Sequence, residues 1–175
     1  MDANSQTCLL FSYSLYIVMN KNIISFSCSK KMKFLRTPTD IKERLFSKYD
    51  FTIDLCASDK NHLCDRYYTI ETDALKQNWD NEIAYLHPLF DSKIGKFVEK
   101  AYNSKNSTIV MLLPASTHTK YFHEYLYKKH NVDIEFLRMP CKDGRRGFRF
   151  LNDDDGGDGG KIGYIKGLMI IEMRT

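Results

Sequence analysis

The sequence predicts an α/β protein with a central, mostly parallel sheet and flanking helices. Three observations carry this expectation. From Met32 onward, short strand-forming runs alternate with segments of helical periodicity, the pattern of a layered α/β sheet. Ile94, Phe97, Val98, Ala101 and Tyr102 recur at the spacing of one helix face, with Lys93, Lys96 and Lys100 off that stripe. Ser107 to Leu113 is a largely apolar run ending at Pro114, as expected of a strand buried on both faces.

Taken in order, Thr39 to Tyr49 follows Thr37-Pro38 and reads as a helix. Thr39 or Asp40 can cap it, and Ile41, Leu45 and Phe46 form its apolar stripe. Phe51 to Leu55 is the first strand, Tyr67 to Ile70 a short second, and Ile83 to Leu86 a third that runs into His87-Pro88. Ser92 to Tyr102 is the clearest helix, and Ser107 to Leu113 the fourth strand. Thr117 to Lys129 reads as another amphipathic helix, with Tyr121, Phe122, Tyr125 and Leu126 inward. Ile134 to Arg138, Gly147 to Leu151 and Leu168 to Met173 are later strands, the last two a candidate hairpin. The acidic, glycine-rich stretch 152–160 between them fits neither a calcium loop nor a phosphate loop, because the closing Glu and the Gly-Lys-Ser/Thr sequence are missing. It reads as a flexible solvated loop.

The 175 residues suffice for one domain with a real core. Residues 32–175 are expected to form it, since Met32-Lys33-Phe34-Leu35 opens like the start of a domain. Residues 1–31 are expected to be an extension, disordered or arising from an upstream start, with a targeting segment as the alternative. Their apolar run, Cys8 to Met19, is shorter than the ~20 residues that span a bilayer. Only Asp2 is charged ahead of it, unlike a secretory signal. No membrane association is expected. The five cysteines are odd in number and form no Cys-x-x-Cys, so free thiols in a reducing, intracellular compartment are expected and no metal site. His118, His123 and His130 lack the same-face spacing of zinc ligands. A net charge of +4 is compatible with a polyanionic partner. Oligomeric state is not legible.

Ligands of open α/β sheets bind beyond the carboxyl ends of the strands. Asp54 lies near the first such end, Asp73 follows the second, His87 the third, and Pro114-Ala115 the fourth. Each has a plain structural alternative: Asp54 as a turn cap or lysine partner, Asp73 as the start of a helical turn, His87 as a satisfied turn histidine. Arg145, Arg146 and Arg149, interleaved with Phe148 and Phe150, are either DNA-phosphate contacts or the solvated face of a basic hairpin.

The ordered set resembles the phage-type Dam family of DNA N6-adenine methyltransferases. The matching pieces are Thr37-Pro38, Phe51 to Ser58, Asn61, Cys64, Tyr67 to Thr69, Asp73-Ala74-Leu75, Trp79, Ile94 to Tyr102, Val110 to Ala115, Thr117, Thr119, Tyr121 to His123 and Phe136 to Arg138. The resemblance covers about residues 35–150. It implies a Rossmann-like fold of S-adenosylmethionine (SAM)-dependent methyltransferases, SAM as methyl donor, and adenine in DNA as acceptor. It places Thr37 and Pro38 near the cofactor's methionine end, Asp54, Leu55, Cys56 and Ala57 in the cofactor loop, and Asp73 near the adenosine half.

The catalytic tetrapeptide departs from the family's Asn-Pro-Pro-Tyr, or its variant beginning with Asp and ending in Phe. This chain has His87-Pro88-Leu89-Phe90. The resemblance implies that the first side chain and a proline carbonyl accept hydrogen bonds from the adenine amino group, while the aromatic ring stacks on the flipped base. Pro88 and Phe90 preserve two of these roles. A neutral imidazole offers one acceptor at a different reach and an imidazolium none. Two readings therefore stand. One is an active N6-adenine methyltransferase. The other is a catalytically degenerate protein of the same fold that binds DNA or a partner. An unrelated nucleotide-binding α/β protein is the third.

Overall fold

The computed structural model describes residues 35–142, 145–152, 162–164 and 166–175. The expected extension over residues 1–31 and positions 153–160 of the acidic loop lie outside the described residues. In chain order the elements are β1 (Leu35–Arg36), α1 (Thr39–Phe46), β2 (Ile53–Asp54), β3 (Ile83–Leu86), α2 (Ile94–Asn103), β4 (Thr108–Pro114), β5 (Val132–Phe136), β6 (Cys141–Lys142), β7 (Arg145–Arg146), β8 (Phe148–Asn152), β9 (Ile162–Tyr164) and β10 (Leu168–Arg174).

A five-stranded sheet has the order β2-β3-β4-β10-β5. β2, β3 and β4 are mutually parallel, and β10 is antiparallel to both β4 and β5. Four of the five strands thus share one direction, as the sequence predicts. Ile109 to Leu113 and Leu168 to Met173 are buried on both faces, which explains why β4 and β10 occupy the middle of the sheet.

The helices follow their apolar stripes. α1 buries Ile41 and Leu45, and α2 buries Ile94, Val98 and Ala101. The N-cap position of α1 is Pro38, with no side-chain cap, so neither Thr39 nor Asp40 plays the expected capping role. The Pro38 ring sets φ near the helical value and its carbonyl accepts the Lys42 N–H at 2.9 Å. Asp91 organises the start of α2, its Oδ1 accepting the Lys93 N–H at 2.7 Å.

Three expectations change. The strand expected over Tyr67–Ile70 contracts to one parallel bridge between Tyr67 and Asp54. The helix expected over Thr117–Lys129 shortens to a π-helical turn, Phe122–Leu126, and Lys128 adopts a left-handed φ of 57° just beyond it. Its Phe122 and Leu126 are buried as the stripe requires. The hairpin between Gly147–Leu151 and Leu168–Met173 does not form. β10, buried from Leu168 to Met173, inserts into the large sheet. β8 instead joins β1 and β9 in a three-stranded antiparallel sheet. That small sheet carries Phe150 and Tyr164. β6 and β7 pair as a separate ribbon.

Candidate active site

The direction of strand succession reverses at β2. On one side its backbone pairs with β3, where the Leu55 N–H donates to the Tyr85 carbonyl at 2.9 Å. On the other it pairs with the Tyr67 segment, through Asp54 N–H to Arg66 carbonyl at 3.0 Å and Tyr68 N–H to Asp54 carbonyl at 2.9 Å. A crevice opens where neighbouring connections leave a sheet in opposite directions, and such points bind ligands. The carboxyl ends of β2 and β3 lie at this point of the sheet.

Asp54 is buried at this point. Its Oδ1 accepts the Cys56 N–H at 3.2 Å and its Oδ2 the Leu63 N–H at 3.1 Å. The carboxylate therefore pins both ends of the loop after β2 to the strand. Three further amides of the loop are engaged: Ala57 N–H donates to the Tyr68 carbonyl at 2.9 Å, and Ser58 and Asn61 exchange two bonds of 3.0 Å. Burial pushes the Asp54 carboxyl up to about 6, against the opposing pull of the two amides. Burial and the Asp54 charge also push up the Cys56 thiol, and the Cys64 thiol reaches about 11. Neither sulfur is a thiolate nucleophile at neutral pH.

Asp73 makes its contacts locally. Its backbone is left-handed, φ 50°, and it caps the short 3-10 turn Ala74–Lys76 by accepting the Leu75 N–H at 3.3 Å. Its other oxygen lies 3.3 Å from Lys76 Nζ, with 37% of the side chain exposed. The two acids of the rim thus differ. Both have their oxygens partnered, but Asp54 is buried and braces the loop, whereas Asp73 is part-exposed. A part-exposed carboxylate such as Asp73 has the chemistry to accept from a ligand's hydroxyls. The buried Asp54 does not fit direct capture of an ammonium.

The altered tetrapeptide begins one residue after β3. His87 Nδ1 lies 3.1 Å from Thr37 Oγ1, and that hydroxyl lies 2.7 Å from the buried Tyr85 hydroxyl. Thr37, 50 residues away in sequence, is therefore tied to the tetrapeptide itself. Two rings flank the part-buried imidazole: Phe150 stacks on it at 5.8 Å and Phe90 is tilted at 5.4 Å. Their desolvation holds the His87 pKa down to about 4, so the ring is neutral at neutral pH. Phe90 also meets Tyr164 at 5.4 Å and Phe150 at 6.1 Å. Pro88 is buried and Leu89 is 42% exposed.

Beyond Phe90 lies a cleft of about 530 Å³, between the start of α2 and the π-helical turn. Phe90, Tyr121, Tyr125 and Tyr164 supply its rings, Lys96, Lys120 and Lys166 its positive charge, and Asp91, Glu99 and Glu124 its negative charge. Its lining includes none of Thr37, Pro38, Asp54–Ala57 and Asp73. Phe90 alone of the tetrapeptide reaches it.

Sequence reasoning missed the Tyr85 hydroxyl, Phe150 and Tyr164 as members of this site. A signal existed for the first: a tyrosine in a strand buried on both faces needs a partner for its hydroxyl. Tyr164 had none, because β9 is only three residues long. The backbones of Arg145, Arg146 and Arg149 lie in β7 and β8, while their side chains lie outside what is described. Among the described residues no group of three His, Cys, Asp or Glu could hold a metal ion, and no helix is long and apolar enough to cross a membrane. Cys56, Cys64 and Cys141 are free thiols.

Residues 27–174 match the family model described as DNA N-6-adenine-methyltransferase (Dam). A DNA N-6-adenine-methyltransferase of Escherichia phage T1 is 39% identical over 85 residues, which are 47% of this chain and 34% of that protein. The chain thus spans about a third of the length of the curated relative it matches.

Proposed function

The chain belongs to the DNA N-6-adenine-methyltransferase (Dam) family, and on that premise we propose that it transfers a methyl group from SAM to the N6 amino group of adenine in DNA. One observation carries the reading. The tetrapeptide His87-Pro88-Leu89-Phe90 leaves β3 beside the reversal point of the sheet and is held there by Thr37. That is where an α/β sheet presents ligand-binding loops, and where the family's catalytic loop falls in the chain.

SAM, when bound, supplies an electrophilic methyl on its sulfonium. The chain's own residues then have these roles. Asp73 accepts from the cofactor's hydroxyls. Asp54 keeps the loop Leu55-Cys56-Ala57 folded against β2. Thr37 and Pro38 set the position of the tetrapeptide from the opposite side of the rim. The Pro88 carbonyl accepts from the adenine amino group, and no backbone donor among the described residues competes for it. Phe90 presents a ring to the target base at the mouth of the cleft. Arg145, Arg146 and Arg149 contact DNA phosphates.

The test is transfer of labelled methyl from SAM to unmethylated DNA, by the natural chain and by His87→Asn with Leu89→Pro. Asn restores an acceptor at the family's reach, and the second proline stiffens the loop. The double variant is expected to be faster by the factor of one catalytic hydrogen bond, ~10²–10³. Silence of both proteins with intact DNA binding would select the degenerate, binding-only reading.

A further inference from the structure

The hydrogen-bond chain Tyr85–Thr37–His87 determines which imidazole nitrogen carries the proton. We propose that His87 is a hydrogen-bond donor, using Nε2–H to read the ring nitrogen beside the target base's amino group. Tyr85 and Thr37 are then the positioning residues that hold this tautomer. The methyltransferase reading supplies the ligand in this proposal. The tautomer follows from the chain's own protons.

Three protons are shared among three groups. The Tyr85 hydroxyl is 1% exposed and has Thr37 Oγ1 as its partner, at 2.7 Å. Leaving that buried proton without an acceptor is costly, so Tyr85 donates to Thr37. The Thr37 proton then turns to its other partner, His87 Nδ1 at 3.1 Å. Nδ1 is the acceptor, and a neutral imidazole that accepts at Nδ1 carries its proton on Nε2. Nε2 has no hydrogen-bond partner among the described residues. If His87 donated from Nδ1 instead, Thr37 Oγ1 would accept from both neighbours and the Thr37 proton would be left without a protein acceptor.

A donor at this position inverts the polarity of the Asn or Asp acceptor in the resembling family. On consecutive residues of the tetrapeptide, the His87 Nε2–H and the Pro88 carbonyl supply one donor and one acceptor. Adenine offers the matching edge, an acceptor nitrogen N1 beside an amino donor N6. Cytosine offers the same pair with N3 and N4. Guanine and thymine place a ring N–H beside a carbonyl, which pairs donor with donor and acceptor with acceptor. The tetrapeptide is thus selective for amino-bearing bases through a two-point contact, and His87 contributes the ring-nitrogen half.

Full-length protein labelled with 15N-histidine tests both parts. His87, assigned by loss of its signals in His87→Gln, should show a pyridine-type Nδ1 and a protonated pyrrole-type Nε2. Thr37→Ser should keep that pattern. Thr37→Val and the near-isosteric Tyr85→Phe should move it toward a mixture. A pyrrole-type Nδ1 in the natural protein, or one pattern shared by all the variants, would overturn the relay.

For the base edge, single-stranded DNA containing only adenine and thymine is titrated with every adenine ordinary or every adenine replaced by 1-deazaadenine, which keeps the amino group and lacks N1. The His87 Nε2–H signal should shift with the first pool and stay with the second. Equal responses, or none to either, would overturn the base contact. Failure of methyl transfer with these signals as expected would refute the methyltransferase reading alone.

Discussion

Replacing Asp54 separates a cofactor ligand from a structural brace. Asp54→Ala leaves the Cys56 and Leu63 amides, now at 3.2 and 3.1 Å from the carboxylate, without an acceptor. Each buried orphan costs about 1–3 kcal/mol, so a loss of roughly 2–6 kcal/mol is expected at pH 7.5. A domain of this size has only about 5–15 kcal/mol in total. The pH dependence gives a second, independent number. The folded pKa is raised from 3.8 to about 6, so native Asp54 binds a proton more readily than the unfolded chain does. Its contribution is fully present below pH 3.8 and is lost as pH rises through 6. Linkage then makes the natural chain gain roughly 2 kcal/mol from this group between pH 7.5 and 4.5, a gain the alanine variant lacks. Urea unfolding of both proteins at the two pH values measures it. The gap should widen toward pH 4.5. A loss under 1 kcal/mol that does not change with pH would show that Asp54 does not brace the loop. SAM titration into Asp54→Asn, which retains one acceptor, should show weakened binding in proportion to the drop in stability. A collapse of affinity in a fully stable Asn variant would make Asp54 a direct ligand.

His87 titrates with the opposite sign: with a folded pKa of about 4 against 6.5, its contribution is present above pH 6.5 and is lost as pH falls toward 4, so His87→Gln should flatten the acid side of the stability profile measured by thermal melts. Asp73→Asn should weaken SAM binding in calorimetric titration while leaving the melting temperature nearly unchanged, because its carboxylate is part-exposed and its ion pair with Lys76 lies at the surface; unchanged affinity would remove it from the cofactor site. Replacing Arg145, Arg146 and Arg149 together with alanine should lower the log–log salt slope of duplex DNA binding by ~0.9 for each phosphate no longer neutralised, and an unchanged slope would assign them to a solvated face. Deleting residues 1–31 should leave a cooperative unfolding transition, and a broad, non-cooperative melt would show that this segment completes the core.

The sequence by itself determined the layered architecture, the identity of the tetrapeptide and its place after β3. These are legible because they rest on local pattern. The stripe of α2, the two-face burial of β4 and the run into His87-Pro88 are written in consecutive residues. It could not place β10. A strand buried on both faces needs the sheet's interior, but which neighbours flank it there depends on the packing of segments far apart in the chain. Nor could it distinguish Asp54 from Asp73, since two acids after two strands look alike until burial satisfies one and exposes the other. The Tyr85–Thr37–His87 chain lay furthest from reach. Its members stand 48 and 50 residues from Thr37, and only the tertiary fold brings the hydroxyls to the imidazole. Hydrogen-bond direction follows from which protons are sealed from water, a property of the packed structure and of no single residue.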